Sequence, residues 1–164
     1  MTDALAKLNL PGSSITLRRA TRDDLPAIVE LLVNDPLGRT REAVGQTEGF
    51  VPYEAAFAAI DTDPAQLLVV ATDGDEVVAT MQLSFIPGLA RRGALRAQVE
   101  AVRVAAGHRS RGLGDAMLRW PSARRGAAVA RWFSSPPTRL AETHAAFTNV
   151  LGFIASHEGF KLQL

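Results

Sequence analysis

The sequence contains no cysteine among its 164 residues. This absence excludes disulfide bridges, a thiol nucleophile and a metal site with cysteine ligands, and it is compatible with a cytoplasmic enzyme. Charge of one sign is also missing: the net charge is +1, so composition predicts no general affinity for nucleic acid or for a membrane surface. The three histidines show no H-x-x-x-H spacing and no cluster with acidic residues, which predicts no metal centre.

Long apolar runs are absent as well. No run approaches membrane-spanning length, and the charged residues from Met1 to Asn9 lack the apolar core of a signal peptide. What is present suffices for one core, because 47% of the residues are hydrophobic and a domain of this size buries about 70% of its unfolded surface. We predict a loose leader over residues 1–13 and a single domain over residues 14–164.

Hydrophobic periodicity places strands and helices along the chain in the order β-α-α-β-β-β-α as far as residue 118. A capping box starting at Thr21 opens the first helix, and Asp73-Gly74 predicts a hairpin turn. Residues 34–52 read as a long irregular loop or as a short helix between loops, and a long loop of this kind usually serves function. The predicted strands are Ile15–Ala20, Gln66–Thr72, Glu76–Ile86 and Leu95–Val104; the predicted helices start at Leu25, span Tyr53–Ile60 and start at Asp115.

The most distinctive stretch, residues 98–120, reads as a strand, a glycine-bearing turn and a helix. A helix that starts from such a turn leaves backbone N–H groups unpaired, and the positive end of its dipole adds to them. The arrangement is an anion site suited to phosphate, and Arg109 and Arg111 contribute fixed positive charge. His108 beside the turn is either a solvated turn residue or a further phosphate contact.

The spacing of the turn separates it from other phosphate loops. Gly114 is followed by Asp115 rather than by the Lys-Ser/Thr of a Walker loop, and Met117 stands where a dinucleotide fingerprint needs a small residue. The pattern R-x-x-G-x-G does fit, from Arg109 to Gly114, directly after the strand E-A-V-R-V. Together with L-G-F at 151–153, it resembles the acyl-CoA pyrophosphate loop of the GNAT superfamily of N-acetyltransferases.

The resemblance implies an α/β domain with a mixed, mostly antiparallel central sheet, flanked by helices and splayed between its fourth and fifth strands to admit acyl-CoA. It implies transfer of an acetyl group from acetyl-CoA, without a metal, to a primary amine of a small-molecule or peptide acceptor. Transfer would be direct in a ternary complex, because no cysteine is available for an acyl-enzyme. Similar proteins commonly dimerise, so a homodimer is the corresponding expectation. The residues that the resemblance assigns to the cofactor are Val102, Arg103, Val104, Arg109, Ser110, Arg111, Gly112, Leu113, Gly114 and Asp115.

Glu100 is the candidate general base. On a regular strand Glu100, Val102 and Val104 share one face, and a carboxylate on a mostly apolar strand is costly unless it is paired or used. Many GNAT chains carry a glutamate here that acts through water. The alternative is a structural ion pair with an arginine such as Arg18, Arg19 or Arg96.

The general acid of the family is commonly a tyrosine shortly before L-G-F, and Thr148 stands at that position. A threonine hydroxyl donates a proton to a thiolate far less readily than a phenol. The only tyrosine, Tyr53, lies far away in sequence. Either the proton comes from solvent or the protein is a slow enzyme, and an acyl-CoA-binding or sensor domain with weak or lost turnover is the alternative function. A nucleotide-binding module, which would prefer ATP to CoA, is a third.

Residues from about 119 to 150 depart from the family pattern. Pro121 falls inside the expected helix, where it removes a backbone hydrogen bond at a cost of roughly 3 kcal/mol. The match returns at Leu151-Gly152-Phe153. Two explanations stay open: genuine divergence with a rebuilt acceptor site, or a compensated reading-frame shift, which peptide mapping of this block distinguishes.

Overall fold

A computed structural model describes residues 4–34 and 47–123, and these form a single antiparallel sheet with helices packed on it. The strands are β1 (Ala4–Leu10), β2 (Ser13–Arg19), β3 (Gln66–Asp73), β4 (Glu76–Pro87) and β5 (Leu95–Val104). The helices of this part of the chain are α1 (Leu25–Val33), α2 (Thr47–Thr62), the single turn α3 (Ala90–Gly93) and α4 (Leu113–Ala123), with 3₁₀ turns at Arg22–Asp24 and Ala106–His108.

The sheet has the strand order β1-β2-β3-β4-β5, and each strand is antiparallel to its neighbour in the chain. The predicted hairpin at Asp73-Gly74 is confirmed, with Asp73 opposite Glu76 and Gly74 at a φ of 58°. The predicted α/β class and antiparallel sheet are therefore confirmed. The predicted splay between the fourth and fifth strands of the sequence prediction lies outside the described residues.

The segment before residue 14 differs from its prediction. Instead of a loose leader, Ala4–Leu10 forms β1 and pairs with β2, with Leu8 opposite Ile15. Two features explain the difference: the turn at Pro11-Gly12 reverses the chain, with Gly12 at a φ of 79°, and the leucines of β1 pack against the main core. The sheet thus begins before the predicted domain boundary.

Apolar side chains cover the two faces of the sheet with separate clusters. One face, which we call the α4 face, packs against α4 through Leu113, Met117, Leu118 and Trp120. The opposite face, which we call the α1/α2 face, packs against α1 and α2. The α4 cluster is built on Ile15, Leu17, Leu67, Val69, Ala71, Val78, Ala79, Met81, Leu83 and Val99; the α1/α2 cluster is built on Ala20, Leu25, Ile28, Phe57, Leu68 and Val70.

The entry into α1 is fixed by a buried carboxylate. Asp24 is only 7% exposed and accepts hydrogen bonds from the Thr21 backbone N–H at 2.7 Å and from the Thr21 hydroxyl at 2.9 Å. Arg18 donates to both of its oxygens, at 2.6 and 2.7 Å. Burial acts to raise the pKa of Asp24, but the hydrogen bonds from Arg18 and Thr21 and the charge of Arg18 outweigh it, so the pKa is lowered.

Pro52 and Pro121 lie past the first turn of their helices, whereas Pro26 lies in the first turn of α1. Pro52 lies within α2, which begins at Thr47 and so extends well before the predicted start at Tyr53. Packing of Phe50, Tyr53 and Phe57 against the sheet accounts for the extension, because tertiary burial outweighs local propensity. Pro121 lies within α4, which continues to Ala123. The remainder of the divergent block, from residue 124 onward, lies outside the described residues.

Candidate functional site

A β-bulge interrupts β5 next to the predicted catalytic residue. Thr80 of β4 pairs with Arg103 and Gln82 pairs with Glu100, so two residues of β5, Ala101 and Val102, stand opposite one residue of β4. Ala101 has a φ of 52°, in the left-handed region that a non-glycine residue rarely adopts. A bulge leaves its extra residue outside the hydrogen-bond ladder and bends the strand.

The bulge reverses the predicted orientation of Glu100. Before it, Ala97 and Val99 face the α4 cluster; after it, Val102 and Val104 do so. The expectation that Glu100 shares a face with Val102 and Val104 is therefore wrong, because the inserted residue shifts the alternation by one. Glu100 lies instead, half-buried, on the α1/α2 face.

The alternative structural role for Glu100 has no support in the residues that the structure describes. Arg18 is engaged by Asp24 and Arg19 by Asp61, at 2.6 and 3.2 Å. Arg96 lies further along β5 and forms no ion pair with Glu100 within the described ranges. Among the described residues, none of these three arginines is paired with the half-buried carboxylate of Glu100.

The turn after β5 presents backbone donors at the start of α4. Its conformation depends on left-handed residues, with Ser110 at a φ of 61° and Gly112 at a φ of 81°. The first helical bond runs from the Ala116 N–H to the Gly112 carbonyl at 2.9 Å. The N–H groups of Leu113, Gly114 and Asp115 come before it and have no partner within the helix. They can bind an anion.

Glycine is needed at Gly112 for its backbone conformation rather than for lack of space. A Cβ added there would meet nothing within 4 Å, whereas one at Gly114 would make an ordinary contact of 3.8 Å with Val104. The surface in front of Gly112 is therefore open to a ligand. α4 itself is anchored by Leu113 and Met117, which are almost completely buried. The turn is thus joined to a helix start that is fixed by burial.

Arg109 and His108 tie this turn to the rest of the fold. Arg109 donates through Nε to the Val104 carbonyl at 2.9 Å and through Nη2 to the Asn34 carbonyl at 3.5 Å. The Nε2 atom of His108 lies 3.4 Å from a carboxylate oxygen of Asp73. His108 is therefore a half-buried turn residue with an acidic neighbour, and Arg109 positions the turn as well as supplying charge.

The remaining predicted cofactor residues are distributed along the same path. Arg111 is exposed at the turn, and Arg103 donates through Nη1 to the Val102 carbonyl at 2.9 Å. The carboxylate of Asp115 is paired with Arg119 at 3.0 Å, so only its backbone N–H is directed to the anion site in our assignment. The structure brings Val102–Val104 and the turn 109–115 together at one end of β5. Sequence reasoning missed the bulge, since alanine at 101 gives no signal of it.

Some predictions concern residues elsewhere. Thr148 and L-G-F at 151–153 lie outside the described ranges, 4–34 and 47–123. Within those ranges, no group of three acidic or histidine side chains is arranged to hold a metal ion. None of the helices there is long and apolar enough to cross a membrane.

Comparison with known families decides the family of the chain. The model of the Acetyltransferase (GNAT) family matches residues 26–120, which contain α1 to α4, the bulged strand and the glycine turn. The chain belongs to the GNAT acetyltransferase family. Members of this family use acetyl-CoA. The GNAT match ends at residue 120, close to the start of the block that departs from the family pattern.

Solved structures show the same GNAT fold. A protein described as a transcriptional regulator from Bacillus halodurans C-125 is 34% identical, with a TM-score of 0.82 over 92% of this chain and 99% of that one. A putative acetyltransferase from Agrobacterium tumefaciens str. C58 is 29% identical, with a TM-score of 0.68 over 90% and 99%. A predicted acetyltransferase with acetyl-CoA from Clostridium acetobutylicum shares the fold at 15% identity, with a TM-score of 0.60 over 91% and 96%. Comparison with curated proteins gives no match.

Proposed function

We propose that this GNAT protein is an N-acetyltransferase that transfers the acetyl group of acetyl-CoA to a primary amine by direct attack in a ternary complex. The observation that carries the proposal is the junction of β5 and α4, where a bulged strand runs directly into a glycine turn at a helix start. The junction supplies backbone donors for a diphosphate and a half-buried carboxylate four residues before the strand ends.

The chain's own groups divide the work as follows. Backbone N–H groups of residues 113–115, with Arg109 and Arg111, hold the pyrophosphate. Backbone groups of Val102–Val104 hold the pantetheine arm in the manner of an added strand. Glu100 accepts a proton from the acceptor amine through a water molecule.

The bond changes are those of an aminolysis of a thioester. The neutral amine attacks the acetyl carbonyl, a C–N bond forms, the C–S bond breaks, and CoA leaves as a thiolate that takes a proton from solvent. The proton released by the amine goes to the carboxylate of Glu100 and then to solvent. Holding both reactants in one complex lowers the barrier by removing translational freedom before the chemical step.

Calorimetry with CoA, followed by thiol release with a panel of amines, tests the proposal. We expect CoA to bind and at least one amine to give thiol release, and Glu100→Gln to lower kcat by about a hundredfold with the CoA affinity unchanged. Asp75→Asn, at the exposed hairpin turn, is the matched control.

Two results contradict parts of the proposal. Absence of CoA binding by the folded protein removes all of it. CoA binding without thiol release from any amine favours the acyl-CoA-binding or sensor function, and stronger competition by ATP than by CoA favours a nucleotide-binding module. Cytoplasmic location and a homodimer stay predictions, which fractionation and sedimentation measure directly.

A further inference from the structure

The α1/α2 face of the sheet has a polar half, which is formed by β4 and β5. On β3 the same face carries two buried side chains of the α1/α2 cluster, Leu68 and Val70. On β4 and β5 the same face carries polar side chains that are half-buried, among them Gln82 and Gln98. An apolar cover would leave such groups without water, so this half of the face suits a polar ligand.

Hydrogen bonds hold the polar half in a defined arrangement. Gln82 donates to the side-chain oxygen of Gln66 at 3.2 Å, and Ser84 donates to the same oxygen at 2.8 Å. Gln82 stands opposite Glu100, and Ser84 stands opposite Gln98. The side chains of the polar half beside Glu100 are therefore uncharged, preorganised and able to donate and accept hydrogen bonds.

Two residues of β5 on this face, Arg96 and Glu100, carry charges of opposite sign. Arg96, Gln98 and Glu100 alternate with Ala97 and Val99, which face the other side of the sheet, so the three share the α1/α2 face. Four residues of strand separate the Cα atoms of Arg96 and Glu100 by about 13 Å. Arg96 is exposed and has no hydrogen bond or ion pair within the described ranges.

A second arginine of β5 on this face is already engaged. Arg103 donates through Nη1 to the Val102 carbonyl at 2.9 Å, next to the strand segment assigned to the cofactor. Arg96 lies on the other side of Glu100, away from the glycine turn, where it is available to a second ligand. An Arg guanidinium binds carboxylate and phosphate oxygens in pairs.

We propose that the acceptor is an amine that also carries an anionic group, a carboxylate or a phosphate, which Arg96 binds while Glu100 receives the amine. This inference rests on the proposed function, because it assigns the amine to Glu100. The charges of the face are opposite to those of such an acceptor, and the gap between them suits a molecule about as long as three or four extended peptide residues. Arg96 acts here as a specificity-determining residue and takes no part in the proton transfer.

Glycine peptides of graded length, from one to about five residues, test the proposal as acceptors. Each is compared as its free C-terminal acid and as its amide, and a peptide amide ending in phosphoserine distinguishes phosphate from carboxylate. We expect kcat/KM to be about tenfold higher for the peptides with the preferred anion than for plain amides, since a charge-assisted hydrogen bond is at stake. The preference is expected to peak near three or four residues.

Three variants locate the effect. Arg96→Gln is expected to remove the preference by raising KM for the anionic peptides to the value for plain amides, and Arg96→Lys to retain part of the preference. Arg22→Gln is the matched control, since Arg22 is an exposed arginine in a surface ion pair with Glu54 and should leave the preference intact. Calorimetric titration of the same peptides into the CoA-loaded protein gives a second readout that does not need turnover.

The outcomes separate this inference from the proposed function. Equal use of acids, phosphopeptides and amides by a protein that acetylates amines overturns the role of Arg96 and leaves the transferase intact. A preference that survives Arg96→Gln overturns it too. If CoA binds without turnover, equal calorimetric affinity for acids and amides overturns it, and if CoA does not bind, the proposed function fails first.

Discussion

Two adjoining regions of the sheet differ in whether their polar groups are hydrogen-bonded within the protein or left open. In the scaffold, residues 13–33 and 66–80, the buried carboxylate of Asp24 accepts hydrogen bonds from Arg18 and Thr21, and the left-handed Gly74 lies in a hairpin closed by strand pairing. In the site segment, residues 100–115, left-handed residues interrupt a strand or precede a helix whose first N–H groups remain open. Similar local conformations therefore serve stability in one region and binding in the other.

The largest effect on stability is expected from Asp24 of the scaffold. Asp24→Asn removes the charge that holds Arg18 and leaves a part-buried guanidinium with poor compensation, so it should lower the free energy of unfolding by about 3 kcal/mol. Urea denaturation measures this. Asp61→Asn, which breaks an exposed ion pair with Arg19, should cost about 0.5 kcal/mol or less. Calorimetry at a temperature where the variant is folded should show unchanged CoA affinity, and a large loss of affinity would break the comparison.

The next effect is expected at the bulge. Ala101→Val places a β-branched residue at a φ of 52°, which should cost about 2 kcal/mol of stability and shift the strand beside Glu100. Unfolding curves and thiol release measure the two consequences. Ala101→Gly, which relieves the strain, is the control and should match or exceed the parent in stability. If valine is tolerated without loss of either, the bulge does not organise the site.

A matched pair of glycines compares the two regions directly. Gly112→Ala and Gly74→Ala each put a Cβ at a positive φ with no neighbour within 4 Å, so both should lose about 1 kcal/mol of stability. Only Gly112→Ala displaces the N–H groups of the turn, and it should weaken CoA binding by about tenfold, which is about 1.4 kcal/mol. Calorimetric titration of both variants with CoA measures this difference in affinity. Equal effects on CoA affinity would show that the turn has no special part in binding.

The smallest effect is a pH dependence of the scaffold. Because the pKa of Asp24 is lowered in the folded protein, its ionised form contributes stability that is complete above the unfolded pKa of about 4 and is lost as the pH falls toward the lowered value. The stability difference between the parent and Asp24→Asn should therefore shrink below about pH 4. Urea curves from pH 7 downward measure it, and a difference that grows on acidification contradicts the assignment.

The central strands were predictable because their apolar pattern and their turns agree. The bounds Leu95–Val104 match β5, and Asp73-Gly74 marks the β3–β4 hairpin. β1 was not predicted because its alternation of apolar and polar residues is short and includes alanines. Its pairing with β2 identifies it as a strand. α2 begins earlier than predicted because packing of its aromatic side chains sustains the helix across Gly49 and Pro52, two residue types that disfavour a helix interior.

The glycine turn of the candidate site was predictable and its strand less so. Glycines and arginines at fixed spacing, from Arg109 to Gly114, predict a turn before a helix from local rules alone, and its binding of phosphate stays a prediction. The orientation of Glu100 depends on the bulge, which arises from how β5 pairs with β4 and leaves no mark on the sequence at Ala101. The role of Arg96 depends on which residues share a face, and this too follows from register rather than from a motif.

The order of the strands has a consequence for how the molecule folds. In the part of the chain that the structure describes, short connections join β1 to β2 and β3 to β4, and β5 follows β4 after one helical turn. Among the described strand pairings, only that of β2 with β3 encloses both α1 and α2. Closing this long segment costs more chain entropy than closing the short connections. We expect the β1–β2 hairpin and the β3–β4–β5 meander to form quickly and to dock slowly on each other. The strand and turn assigned to the cofactor would then be assembled before β1 and β2 join the sheet.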